Sequence, residues 1–270
     1  MSDNVGTVTL ERREQVALVT LDRPAKLNAL DQPMWAALDR VLEELAKDLP
    51  RAVVVVGAGD AFCAGHDINP QSPLTAAMGQ GMFARDPEPV RRILQQLKGT
   101  LSALAALPVP TIAAINGKAY SGGVELSLCC DLRVMDANAV LCMMETRLAM
   151  MPDLGGTVRL IRMLGRARAL DLIYTARKVR AAEALALGLV NRVAPAGDCL
   201  AMALELATEI TANGPAALAG VKQVALHMDA HEKDLEVETD QAVAAILSGE
   251  PAEGVSAWMA RRPPNYKAKD

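Results

Sequence analysis

The sequence predicts an α/β protein, a mixed core of about 190 residues followed by a helical C-terminal part. Three observations predict it. Arg51–Gly57 and Thr111–Ile115 are apolar almost throughout, the mark of strands covered on both faces by helices. Segments between and beyond them carry apolar residues every three or four positions, as helices with one buried face do. From Gly155 onward the pattern is almost entirely helical. The chain has 270 residues, 51% of them hydrophobic, enough to build a sizeable core.

Val5–Arg12 and Val16–Leu21 hold β-branched residues and are expected to form a hairpin pair, broken at Asp22-Arg23-Pro24. Asp31 is placed to cap a helix reaching about Lys47, with Pro33 in its first turn. Trp35, Leu38, Leu42 and Leu45 give that helix one buried face. After the strand Arg51–Gly57, Ala61–Asp67 reads as a short turn. Asn69–Pro89 shows no clear period and is expected to be a mobile flap. A helix over Pro89–Leu107 ends at Pro108-Val-Pro110, and Thr111–Ile115 is the next strand. Ser121-Gly-Gly123 opens a helix to about Cys130, followed by strands at Asp131–Met135 and Val140–Met143. Helices are then expected at Gly156–Leu164, Ala167–Thr175, Ala181–Leu187, Asp198–Asn213, Pro215–His227, His231–Leu247 and Glu253–Arg261. No repeat of fixed period is found. The division falls near residue 195, giving 1–195 as the core and 196–270 as the helical part.

Composition excludes several functions. The net charge is −4 and no Lys/Arg-rich run occurs, which argues against nucleic acid as a partner. Aromatic residues are only 3% of the chain, too few for a base-stacking platform. The apolar run Ala139–Met144 is far shorter than the ~20 residues that span a bilayer, so no membrane association is expected. Met1–Asn4 does not begin a secretory signal, and a cytoplasmic location follows as the default. The five cysteines form no CxxC pair, so buried, reduced thiols are expected rather than disulfides or zinc.

Two glycine-containing turns follow buried strands. One is Ala61-Phe-Cys-Ala-Gly65-His66-Asp67, the other Asn116-Gly-Lys-Ala-Tyr-Ser-Gly122-Gly123-Val-Glu125. Glycine allows a sharp turn and the close approach of another molecule. In the second turn it also opens a helix, whose first N–H groups favour negative charge. Amides from two such turns can hold a developing oxyanion. Three acids follow: Glu125 in the first turn of that helix, Glu145 after an apolar strand, and Asp153 in Met150-Met-Pro-Asp-Leu-Gly-Gly-Thr157. Carboxyl groups in an apolar pocket suit proton transfer. Each acid alternatively caps a helix or pairs with Arg133, Arg147 or Arg159.

These turns and acids resemble the crotonase, or enoyl-CoA hydratase/isomerase, superfamily. The matching stretches are Leu21–Leu30, Ala61–Asp67, Asn116–Leu126, Met144–Leu160, Ala186–Val193 and Glu253–Trp258, in family order across nearly the whole chain. The resemblance implies a spiral of ββα units with a C-terminal helical trimerisation region. It implies a homo-oligomer, a trimer or a dimer of trimers. It implies an acyl-CoA thioester as substrate, with no cofactor beyond the coenzyme A of that substrate and no metal.

Carried over by position, the N–H groups of His66 and Gly122 are the oxyanion donors, and Glu125 and Glu145 hold and activate water. The resemblance is closest to an enoyl-CoA hydratase, a hydro-lyase adding water syn to a trans-2-enoyl-CoA. Two departures stand out. Ser121 occupies the first place of the usual three-glycine run, and Asp153 stands where typical hydratases carry glycine and dienoyl-CoA isomerases carry Asp. An isomerase using Glu145 and Asp153 is therefore the alternative, and a non-catalytic acyl-CoA-binding protein a further one. CoA is expected along Ala25, Lys26 and Leu27 and along Cys63, Ala64, Gly65, Asp67 and Ile68. Trp258 and Arg261 resemble residues that a neighbouring subunit presents to CoA.

Overall fold

A computed structural model describes residues 6–229 and 232–264. Two sheets form the framework. β1 (Thr7–Arg13) and β2 (Val16–Asp22) are the expected hairpin, and β3 (Ala52–Gly57) lies parallel to β2. β5 (Thr111–Ile115), β7 (Leu132–Asp136) and β10 (Arg192–Ala194) continue in parallel to complete the order β1-β2-β3-β5-β7-β10. The smaller sheet runs β4 (Ala61–Cys63), β6 (Lys118–Tyr120), β8 (Val140–Cys142) and β9 (Val179–Arg180). The pairs β3/β4, β5/β6 and β7/β8 each place one strand in the large sheet and the next in the small one. That alternation is the spiral that the family resemblance implies. Its repeat is one of structure, since the connecting segments differ too much in length to leave a period in the sequence.

The predicted strand at 51–57 is covered on both faces. Val53 and Val55 point into the main core with Trp35, Leu38 and Leu42 of α1 (Gln32–Lys47). Ala52, Val54 and Val56 point the other way, against Ala203, Leu206 and Ala207 of α8 (Cys199–Thr211). Asp31 caps α1 as expected, its carboxylate accepting from Met34 N–H at 3.0 Å. Thus α8, which lies beyond residue 195, closes the second face of the large sheet. Lys222 of α9 (Pro215–Asp229) reaches back to the core too, donating to Asp131 at 2.8 Å and to Val109 O at 2.9 Å.

The expected mobile flap is instead largely helical. α2 (Pro73–Ala84) precedes α3 (Pro87–Ala106), joined by a turn in which Arg85 adopts a positive φ of 55°. Leu74, Met78 and Met82 supply the hidden stripe, spaced by four. Met78 and Met82 pack with Val90 and Leu94 of α3 and Val243 and Ile246 of α10 (Glu232–Leu247). Small residues at Ala76, Ala77, Gly79 and Gly81 dilute the stripe and conceal the period. Asp131–Met135 shifts by one to Leu132–Asp136, and Ala61–Cys63, read as part of a turn, is a strand. Three residues are too few to show alternation. His231 lies outside the described residues.

Candidate active site

The first glycine turn is built outward from β4. Gly65 has φ +91°, and a Cβ there would lie 2.8 Å from Gly122 N, so the position requires glycine. Leu30 N–H donates to Gly65 O at 2.7 Å and Asp67 N–H donates to Leu30 O at 3.0 Å. This is one rung of parallel pairing, and it turns the His66 N–H between them to the opposite side. Gly122 stands on that side: a Cβ on it would lie 3.5 Å from His66 N. The two amides predicted as oxyanion donors are therefore neighbours. Among the described residues, neither donates to an acceptor within the chain, while Gly65, Asp67 and Ser121 N–H all donate.

Side chains brace this turn from three directions. The buried Asn28 carboxamide donates to Ala58 O and Ala61 O at 2.9 and 2.8 Å and accepts from Arg23 N–H at 2.8 Å. The buried Arg23 guanidinium donates to Asp67 at 2.7 Å and to Ala29 O at 3.1 Å. Burial acts to raise the Asp67 pKa, but hydrogen bonds from Arg23 and Asn69 N–H outweigh it and hold the carboxyl below its ordinary value. Cys63 Sγ donates to Asn28 O at 3.2 Å, and burial pushes this thiol up to about 12, so it is no nucleophile at neutral pH. The third brace is His66 itself, whose ring contacts Trp35 and Thr75.

The second turn is held differently. Ser121 sits at φ 49°, ψ −123°, a conformation that glycine adopts freely and serine does not. Gly122 begins α4 (Gly122–Leu128), where first-turn N–H groups have no partner within the helix. Gly123 packs flat on β4, for a Cβ there would come within 2.0 Å of Cys63 O. At the far end of α4 the buried Arg133 donates to Ser127 O, Cys130 O and Leu189 O at 3.1, 2.7 and 2.8 Å. Arg133, one of three arginines that the sequence offers as partners for the acids, is thus bound to carbonyl groups.

Glu125 is fully buried on α4, and its Oε1 accepts from Leu154 N–H at 2.9 Å and Gly156 N–H at 2.8 Å. That arrangement fixes the carboxylate and demands glycine at 156, where a Cβ would lie 2.6 Å from Oε1. Asp153, half-buried, immediately precedes the first of these donors. Glu145 is 6% exposed and opens a short 3-10 turn, Glu145–Leu148, directly after β8. The end of β8 also receives the Ser121 N–H on Cys142 O at 2.9 Å, which ties the Glu145 segment to the second turn.

The residues expected along CoA lie on three segments of the chain. Ala25 and Lys26 belong to an exposed 3-10 turn, Pro24–Lys26, and Leu27 O accepts from Ala64 N–H at 2.9 Å. Ile68 is half-buried. Trp258 lies on α11 (Glu250–Met259), which packs against the Glu145–Leu148 turn of its own chain, and is 51% exposed; Arg261 follows, exposed. Among the described residues no group of three or more His, Cys, Asp or Glu is arranged to hold a metal ion, and no helix is long and apolar enough to cross a membrane. Sequence reasoning missed the bracing residues Asn28, Thr75 and the indole N–H of Trp35. Asn28 lay inside a stretch singled out for other reasons, and Trp35 registered only as an apolar position.

Comparison with known proteins gives a consistent outcome. A family profile described as enoyl-CoA hydratase/isomerase matches residues 11–269. The short-chain-enoyl-CoA hydratase of Clostridium acetobutylicum is 35% identical over 242 residues, covering 89% of this chain and 86% of that one. An enoyl-CoA hydratase of Mycobacterium tuberculosis is 33% identical, covering 96% of this chain and 95% of its own. Among solved structures, a carnitinyl-CoA hydratase from Mycobacterium avium superposes with a TM-score of 0.82 at 33% identity, covering 97% of this chain and 99% of that one.

Proposed function

The chain belongs to the enoyl-CoA hydratase/isomerase family, and from that premise we propose that it adds water syn across the 2,3 double bond of a trans-2-enoyl-CoA to give the 3-hydroxyacyl-CoA. One observation carries the reading. Two glycine turns from different strands interlock so that the His66 and Gly122 amides stand together without acceptors of their own. Addition of water at C3 moves electron density to the thioester oxygen. Donors already in place there stabilise the enolate more than the substrate, and each is worth roughly 3–4 kcal/mol in the transition state.

The buried pair Glu125 and Glu145 handles protons. One takes a proton from water as its oxygen bonds to C3, and the other delivers a proton to C2 on the same face. The two backbone amides on Glu125 Oε1 keep that carboxylate from rotating. CoA lies along Ala25, Lys26 and Leu27 and the Cys63–Gly65 backbone, with Asp67 and Ile68 alongside, and Lys26 meets its phosphates as a flexible point charge. No cofactor is required, and the reaction takes place in the cytoplasm. The protein works as a homo-oligomer, a trimer or a dimer of trimers built through residues 196–270. Val221 and Val224 of α9 and Trp258 and Met259 of α11 are exposed apolar side chains suited to such contacts. In that assembly Trp258 and Arg261 reach the CoA of a neighbouring subunit.

Incubation with crotonyl-CoA tests the reading, through loss of the conjugated-thioester absorbance. Glu145→Gln is expected to lower kcat by roughly 10²–10⁴-fold. No turnover on short or long enoyl-CoAs sinks the proposal. A second reading, isomerisation through Glu145 and Asp153, is favoured by the place of Asp153 in the same loop that fixes Glu125. Conversion of a 3-enoyl- or 3,5-dienoyl-CoA without incorporation of solvent oxygen distinguishes it.

A further inference from the structure

We infer that the His66 side chain, clamped between Trp35 and Thr75, is a positioning device that aims the His66 N–H at the substrate oxygen. The inference rests on the proposed function, and it adds two positioning residues, Trp35 on α1 and Thr75 on α2. The observations are three hydrogen bonds in a row. Trp35 Nε1–H donates to His66 Nδ1 at 3.2 Å, His66 Nε2 lies 3.1 Å from Thr75 Oγ1, and Thr75 Oγ1–H donates to Asp67 O at 2.7 Å.

Only one placement of protons satisfies the row. Indole nitrogen has a hydrogen to give and cannot accept, so Nδ1 is bare. The neutral ring then carries its proton on Nε2 and donates it to Thr75, whose own hydrogen is committed to Asp67 O. Burial favours this neutral form, pushing the His66 pKa down to about 4.

The loop needs such a clamp. The His66 N–H belongs to the peptide that follows Gly65, and a glycine at φ +91° offers little torsional resistance. Leu30 N–H holds the oxygen end of that peptide through Gly65 O. The ring holds the Cα end, and Thr75 closes onto the carbonyl of the following residue, Asp67, so the backbone is held before and after His66. The same contacts tie the donor to α2, the helix whose Met78 and Met82 pack toward α10. Aiming of the donor is thereby mechanically linked to the helix beside the site.

Thr75→Val removes the hydroxyl and keeps the shape, and Thr75→Ser restores the hydroxyl. Assayed with crotonyl-CoA, Thr75→Val is expected to lower kcat by about 10–100-fold with KM changed less than about twofold, because the enolate charge develops only in the transition state. Thr75→Ser is expected to recover most of it. Long-range ¹⁵N–¹H NMR of the unaltered protein at neutral pH is expected to show His66 with a bare Nδ1 and a protonated Nε2. Trp35→Phe, read by the same NMR, is expected to raise the midpoint of the ring's titration, with Asp67, itself paired to Arg23, the carboxylate beside it. Full kcat in Thr75→Val, equal losses in Thr75→Val and Thr75→Ser, or a proton on Nδ1 each overturns the inference. Failure of the unaltered chain to hydrate any enoyl-CoA overturns the proposed function instead, and the tautomer still decides separately whether the ring is held as described.

Discussion

The two turns that meet at Gly65 and Gly122 present the same chemical group, a backbone N–H, yet they are held by different physics. The first is fastened by side chains: Asn28, Arg23, Trp35 and Thr75 all reach it from other elements. The second depends on the backbone, with Ser121 in a strained conformation, Gly123 flat against Cys63 O and α4 anchored at both ends. The difference teaches that one donor is adjustable, through residues that titrate or rotate, and the other is fixed by packing.

Three changes break or sharpen that contrast. The largest effect is expected from Gly65→Ala, which pushes the turns apart at their point of contact. It should lower kcat by roughly 10²–10³-fold, as loss of one oxyanion donor does, and measured kcat/KM checks it. A loss under tenfold means that the turns do not depend on each other.

An intermediate effect concerns acid. Below pH 6.5 the unfolded chain takes up a proton at His66 that the folded chain refuses until about pH 4. The unfolded state binds more protons in that window, so stability falls as pH drops through it, by at most about 1.4 kcal/mol per unit from this group. Asp67, held below its ordinary pKa of 3.8, acts only beneath that window. Urea unfolding between pH 6.5 and 4 reads the slope, and His66→Asn is expected to flatten it. An unchanged slope removes the titrating brace from the first turn. The smallest effect is Ser121→Gly, which relieves the strained φ of 49° and should stabilise by about 1 kcal/mol, seen as a higher Tm. A lower Tm means that the second turn carries no such strain.

Legibility in the sequence followed the length of each signal. α1 was readable because Asp31 caps it and its apolar face repeats over four turns, and β3 because both its faces are apolar. The strands β4 and β6 were not, since three residues show no alternation. α2 reads as a mobile flap because alanine and glycine dilute the stripe of Leu74, Met78 and Met82. At the candidate site, Gly65, Gly122 and the acids are legible through turn chemistry and family resemblance. The bracing was not. Trp35 and His66 lie 31 residues apart, and Asn28 and Ala61 lie 33 apart. No local spacing encodes such partners, which exist only once the spiral brings its turns together.

The contact between Gly65 and Gly122 has one more consequence. The space a side chain at 65 would need is filled by the backbone of Gly122, whereas a Cβ on Gly122 would lie 3.3 Å from Gly65 Cα, so the first letter is fixed and the second only confined. A library randomised at position 65 alone should return only glycine, while one randomised at 122 should admit little beyond alanine. Any retuning of this protein toward bulkier or longer acyl groups must therefore leave Gly65 as it is and be carved from other walls.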